Sequence, residues 1–423
     1  MRAVDALVPA VNGSVGKRLA CASPGVLEER HNVRRQFKIF AFVILTALSP
    51  ARADDGRGLA RSGNPNEVSI SGVSSGAAMA IQYAVAHSRS IVGVGAVAGP
   101  GWGCADGRLS VAINDCMCGR QPTAPHVAGA RAQAASGSID QLVAGKPVAL
   151  QRSYVFQSPE DHTVVKQSGQ ASIDFLAAFI GKAPVVDRGN AADGSNRAGH
   201  GFISPDGTDA CQSNGKEKTY VRRCGAEDNA GKLFHALYDP ATAYDPTGRV
   251  RDIPATEVWA FKQQPLIDQI KKSDGKIAPD GIFWLPFSTA RRKNFDMADT
   301  GYLYVPPSCR SSGSRCPIHI ALHGCKQTAK EFAVTAGYNN WADHYKVVVI
   351  YPALDHQTSV DGEVCAMPAA LRIADSSWVK PNPNACWDWW GYLDDETPQA
   401  KRYLTREAPQ MRVIESIIGE ATR

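Results

Sequence analysis

The sequence has no CxxC pair, no apolar run long enough to cross a bilayer, no internal repeat and no Ser- or Thr-rich spacer. Each absence removes a class of protein. Without CxxC spacing there is no zinc knuckle, and Cys116-Met117-Cys118 has the wrong spacing to substitute for one, so no metal is expected. The longest apolar run, Ile39 to Leu48, is too short for a transmembrane helix. With no spacer there is no sign of a separately tethered module. Charge of one sign is also scarce. Of 46 Lys and Arg and 41 Asp and Glu, eight and three lie in residues 1–53, which leaves 38 of each sign in the rest. A balanced body argues against nucleic acid as a partner and suits an uncharged substrate.

What is present begins with export chemistry. Arg34, Arg35 and Lys38 precede the Ile39–Leu48 run, and Ala51-Arg52-Ala53 follows it. A basic flank, a short apolar stretch and a small-x-small site predict a signal peptide cleaved after Ala53. Residues 1–53 are thus expected to be a leader, with an over-extended start ahead of Val33, and 54–423 one catalytic domain without a separate substrate-binding domain. The mature chain is expected to be secreted, monomeric and free of the membrane. Cleavage removes Cys21 and leaves ten of the 11 cysteines, an even set that predicts disulfides in an oxidising compartment. Cys309 with Cys316 and Cys211 with Cys224 are expected local bridges, and the other pairings stay open.

At 423 residues and 44% hydrophobic content the chain can bury a large core. Strand-like runs at Val68–Val73, Ile91–Val97, Tyr154–Phe156, Pro317–Leu322 and Val347–Tyr351 alternate with helical spacing at Ala77–His87, Ala171–Ile180, Thr328–His344 and Met411–Ala421. This alternation predicts an α/β fold with a parallel sheet. Residues 189–215 read as loop, and 239–299 give no regular signal.

Gly72-Val73-Ser74-Ser75-Gly76 follows a strand and opens a helix, the setting a GxSxG nucleophile elbow requires. Ser74 is the candidate nucleophile, and the Ser75 N–H is half of an oxyanion hole. In such hydrolases the acid and the base come later in the chain. Asp161, just past Tyr154–Phe156, is the candidate acid, with Glu160 as its rival. Among ten histidines, His200 in Ala198-Gly199-His200-Gly201-Phe202 is the candidate base by elimination, because flanking glycines let an imidazole project into a cleft. His323-Gly324-Cys325 ends a strand as the oxyanion turn of a hydrolase does, with the Cys325 N–H as donor and His323 holding the loop. That turn normally precedes the nucleophile, and here it follows. The order makes sense if the fold is a circularly permuted α/β-hydrolase, a single domain opened just ahead of the Val68–Val73 strand. Cys386-Trp387-Asp388-Trp389-Trp390-Gly391-Tyr392 places four aromatics in seven residues, which either plug the core or wall an apolar groove.

The elbow, together with Gly301 to Cys309 (GYLYVPPSC), Ile320 to Gln327 (IALHGCKQ), Gly337 to Asp343 and Asn384 to Tyr392, resembles the extracellular short-chain-length polyhydroxyalkanoate depolymerases of the permuted type. The resemblance spans nearly all of residues 66 to 423. It implies hydrolysis of a polyester such as poly(3-hydroxybutyrate) without a cofactor, with Ser74 as nucleophile, Asp161 as acid and His200 as base. Ser75 and Cys325 would form the oxyanion hole and Trp387 would border the substrate crevice. The sequence departs from the family pattern at SPEDHTV, where a Gly often stands ahead of the Asp. Two other readings are a feruloyl or acetyl esterase acting on plant polysaccharide and a catalytically silent polymer-binding protein.

Overall fold

A computed structural model describes residues 59, 62–140, 149–213, 219–250, 253–273, 293–311, 313–355, 382, 384–394 and 401–423. The expected leader, His356 and Cys365 lie outside them. The fold is built outward from β1 (Gly63–Val73), whose last six residues are all buried. Burial on both faces is what the continuous small and β-branched run VSISGV requires of a central parallel strand. Parallel partners flank it, β2 (Ile91–Val97) on one side and β10 (Cys316–Leu322) on the other.

Among the described residues, eight strands form the main sheet, in the spatial order Val185–Asp187, Arg152–Phe156, β2, β1, β10, Val348–Tyr351, Thr300–Tyr304 and Trp259–Lys262. The chain moves from β1 outward through β3 (Arg152–Phe156) to β4 (Val185–Asp187) at one edge. It resumes at the opposite edge with β8 (Trp259–Lys262) and β9 (Thr300–Tyr304). From there β11 (Val348–Tyr351) and β10 fill inward until β10 lies against β1. β9 is antiparallel to both β8 and β11, and the remaining pairs are parallel. The strand bearing the His323 turn therefore neighbours the strand bearing Ser74, although it follows it in the chain. The final helix, Pro409–Ala421, ends where β1 begins: a Cβ built on Gly63 would sit 2.8 Å from the Ala421 carbonyl oxygen. Moving the opening of the chain to another loop would restore the usual hydrolase order, so the topology is the permuted one.

Helices cover both faces of the sheet. On one face Ser75–Ala86, Lys166–Ile180, Gln264–Ser273 and Pro409–Ala421 pack through Met79, Ile81, Phe175, Ile267 and Ile414. On the other, Asn229–Tyr238, Ala329–Thr335 and Tyr338–Tyr345 bring Leu233, Phe234, Phe332 and Trp341. The single helical stretch expected over Thr328–His344 is two helices, because Gly337 at φ 82° caps the second and breaks the run. Residues 239–299, silent in the sequence, supply β8. The loop-like stretch from residue 189 contributes β5 (Phe202–Ile203) and β6 (Asp209–Ala210), which pair with β7 (Val221–Arg223) in a small second sheet. Among the described residues no helix is long and apolar enough to cross a membrane.

Ser69 and Ser71 of β1 face the second of these layers, where a hydroxyl needs a partner. His319 of β10 lies between them, with Nδ1 2.7 Å from Ser69 Oγ and Nε2 2.7 Å from Ser71 Oγ. Tyr238 and Tyr338 close the two ends of this chain of hydrogen bonds. Burial lowers the His319 pKa to about 3. The ring therefore stays neutral and acts as a polar spine beneath the elbow.

Candidate active site

At the end of β1 the backbone turns so sharply that Ser74 takes φ 58° and ψ −119°, a conformation L-residues avoid unless their surroundings impose it. Its N–H donates to Val97 O at 2.9 Å, tying the elbow to β2. The two glycines of the motif are there because there is no room for anything larger. A Cβ on Gly72 would lie 2.4 Å from the Gly76 carbonyl, and one on Gly76 would lie 2.4 Å from His323 O. The strained serine is thus clamped between its own helix and the turn after β10.

His200 reaches Ser74 from the loop ahead of β5. Its Nε2 is 3.0 Å from Ser74 Oγ and its Nδ1 is 2.8 Å from Asp161 Oδ2. A carboxylate only accepts, so Nδ1 carries the proton and Nε2 is left to accept from the serine hydroxyl. Asp161 is 2% exposed. Its other oxygen, Oδ1, accepts the N–H groups of Thr163 and Val164, each at 2.9 Å. This local loop geometry separates Asp161 from Glu160, which lies on the surface and pairs at 3.8 Å with the exposed His162.

The turn His323-Gly324-Cys325 lies against the elbow, where a Cβ on Gly324 would be 3.2 Å from Ser74 Cβ. His323 is fully buried. Its Nδ1 donates to Gly324 O at 2.8 Å, and its Nε2 accepts the Leu354 N–H at 3.2 Å. It holds the loop, as its place in the sequence suggests. Among the described residues neither the Ser75 nor the Cys325 N–H has an acceptor, and the Ser75 N–H stands at the N-terminus of the Ser75–Ala86 helix. Both are free to meet a developing negative charge.

Trp387, expected to border the substrate crevice, is packed inside its own loop. It is 0% exposed. Trp389, Trp390 and Tyr392 are buried with it. The physical reason is that the loop is anchored on all sides. Cys386 is bridged to Cys325, Asp388 accepts the Tyr392 and Leu393 N–H groups, and the Tyr392 hydroxyl donates to Cys386 O. Trp387 Nε1 donates to His323 O at 2.9 Å. The tryptophan thus acts on the site from behind, by fixing the carbonyl of the turn that carries Cys325.

Disulfides join Cys104 to Cys116, Cys211 to Cys224, Cys309 to Cys316 and Cys325 to Cys386. Both expected local bridges are among them. Cys118 is also disulfide-bonded, to a partner outside the described residues. A residue that the sequence reading missed is Arg222, buried on β7, whose Nε donates to His200 O at 2.7 Å. Nothing in VRR marks it, since its partner is a backbone carbonyl on a distant loop.

A family model described as Esterase PHB depolymerase matches residues 300–362. A poly(3-hydroxybutyrate) depolymerase of Delftia acidovorans is 29% identical over 367 residues, covering 84% of this chain and 60% of that protein. A polyhydroxybutyrate depolymerase of Talaromyces funiculosus is 28% identical over 342 residues, 79% of this chain and 85% of that one. Two solved structures share the fold at 25% identity, each covering 86% of this chain and 98% of the other. One is a PHB depolymerase complexed with an R3HB trimer, at TM-score 0.60, and the other is the PHB depolymerase of Penicillium funiculosum, at 0.58. By sequence and by fold the chain is similar to PHB depolymerases. The family-model match falls on β9, β10 and β11 and so includes the His323–Cys325 turn. It does not reach Ser74, Asp161 or His200, whose grouping rests on the distances above. The chain spans 60% of the length of the Delftia relative.

Proposed function

We propose that the protein is a serine esterase that hydrolyses poly(3-hydroxybutyrate) and related short-chain polyhydroxyalkanoates. The observation that carries this reading is the unbroken hydrogen-bonded chain Asp161–His200–Ser74, set beside two N–H groups that have no acceptor among the described residues. Ser74 attacks the ester carbonyl while His200 Nε2 takes its proton, and Asp161 keeps the imidazole in the Nδ1–H tautomer and steadies it when charged. The tetrahedral oxyanion is met by the N–H groups of Ser75 and Cys325, each contributing on the order of 10²- to 10³-fold. His200 then passes its proton to the leaving hydroxyl, and water repeats the cycle on the acyl-enzyme. General acid-base transfer contributes about 10²- to 10⁴-fold.

The polymer as substrate is supported by the relatives, which are named for it, and by the balanced charge of residues 54–423. Secretion is supported by the disulfides, which persist in oxidising compartments. Incubating the purified protein with amorphous poly(3-hydroxybutyrate) tests the reading. Clearing of the suspension with release of hydroxybutyrate oligomers is expected. Turnover of soluble aryl esters with no clearing would point instead to a small-ester or polysaccharide esterase, and polymer retention with no released acid to a binding protein.

A further inference from the structure

His200 hangs between Gly199 and Gly201 on a loop, and a glycine-flanked residue gains little rigidity from its own backbone. The rigidity comes from elsewhere. We propose that Arg222 is a positioning residue for the catalytic base, clasping the His200 carbonyl so that the imidazole stays in line between Asp161 and Ser74. The inference rests on the reading of these three residues as a catalytic triad.

Arg222 lies on β7, the middle strand of the small sheet, and is 0% exposed. Its Nε donates to His200 O at 2.7 Å and its Nη2 donates to the same oxygen. Nη1 donates to Ala210 O at 3.1 Å. Two donors of a planar fork on one carbonyl set its direction as well as its distance. The approach depends on Gly201: at φ +152° a Cβ there would lie 3.1 Å from Arg222 Nε and 2.5 Å from Tyr220 O. The support behind the fork is itself fixed. The Cys211–Cys224 disulfide joins the residues just past β6 and β7, and Asp209 Oδ2 accepts the Thr219 and Tyr220 N–H groups. Burying a guanidinium is unfavourable before its partners compensate. An apolar side chain on this strand would pack without that cost. What a forked donor adds is hold on the one carbonyl that belongs to the histidine.

The test compares Arg222→Lys and Arg222→Met with the unaltered protein. It measures melting temperature, active sites titrated to completion with a fluorophosphonate, kcat and KM on 4-nitrophenyl butyrate, and the downfield proton resonance of His200 Nδ1–H. The expected result is a kcat per titrated site about 10- to 100-fold lower for Arg222→Met, since a misplacement of about 1 Å in a catalytic group costs on that order. Arg222→Lys, which keeps one donor, falls less. KM stays near its original value, and the downfield resonance broadens in proportion to the kcat loss. If kcat per titrated site and the resonance are unchanged in both variants, even with a lower melting temperature, the residue is merely structural and the proposal fails. Should Arg222→Met not fold, Arg222→Lys decides by the same criteria. Activity surviving in His200→Ala would refute the triad itself. An inactive His200→Ala beside fully active Arg222 variants would refute the clasp alone.

Discussion

At the scale of single residues, the site was most legible where its geometry is local. The elbow can be read from five consecutive residues because Gly72 answers to the Gly76 backbone within the strand–turn–helix unit, although Gly76 answers to the neighbouring turn at His323. Asp161 and Glu160 could not be told apart, because what selects Asp161 is a pair of N–H groups turned inward by the loop. Trp387 was left open for a related reason: density of aromatics says that area is buried, and not whether protein or substrate buries it. Its burial changes what its substitution should do. Trp387→Phe keeps most of the packing but removes the donor to His323 O. Losing that buried hydrogen bond costs about 0.5–1.5 kcal/mol. Because the lost contact acts through the Cys325 N–H, activity on polymer and on a short aryl ester should fall together. A selective loss on polymer, with stability kept, would return Trp387 to the substrate crevice.

At the scale of elements, the long buried strands of the sheet centre were readable, whereas β8, β9 and the two- and three-residue strands of the small sheet were not. β8 is a half-exposed edge strand, and the strands of the small sheet run only two or three residues, too short for a period to show. The disulfides carry a contrast that can be measured. Cys325–Cys386 closes a sequence separation of 61 and joins the His323–Cys325 turn to the tryptophan loop, while Cys309–Cys316 closes a separation of 7. The chain-entropy estimate assigns about 4 kcal/mol to the first and about 2 kcal/mol to the second. Replacing Cys325 and Cys386 together by Ala should therefore lower the melting temperature and also kcat, since the Cys325 N–H loses its anchor. Replacing Cys309 and Cys316 should lower the melting temperature with kcat per folded molecule intact. Equal kcat losses in the two pairs, measured on titrated enzyme, would contradict the role given to the turn.

For the whole molecule, the permuted order was legible because one displaced motif, His323-Gly324-Cys325, could be placed beside the elbow in only one way, and the sheet has that order. Buried titratable groups spread through the fold set its response to acid. Burial lowers the pKa of His87 to about 4 and that of His319 to about 3. Below the unfolded value near 6.5 the unfolded chain takes up protons that the folded one refuses, so stability falls as pH falls. Glu227 works the other way. Burial, and then the charge of Asp187, raises it to about 7. Between about 7 and 4.5 the folded state holds a proton that the unfolded state does not, so stability rises as pH falls. The two influences oppose each other across much the same window. Glu227→Gln, which removes the second, should make the melting temperature drop more steeply from pH 7 to pH 4.5 than it does in the unaltered protein. An unchanged slope would contradict the assignment.

The central claim is that one serine, activated by His200 and Asp161, performs the chemistry. Treating the protein with a fluorophosphonate and mapping the adduct by peptide mass spectrometry tests it most directly. The account predicts a single equivalent of label on Ser74, complete loss of ester hydrolysis in step with labelling, and no labelling of Ser74→Ala. Label on another residue, or hydrolysis that persists once Ser74 is fully modified, would contradict it.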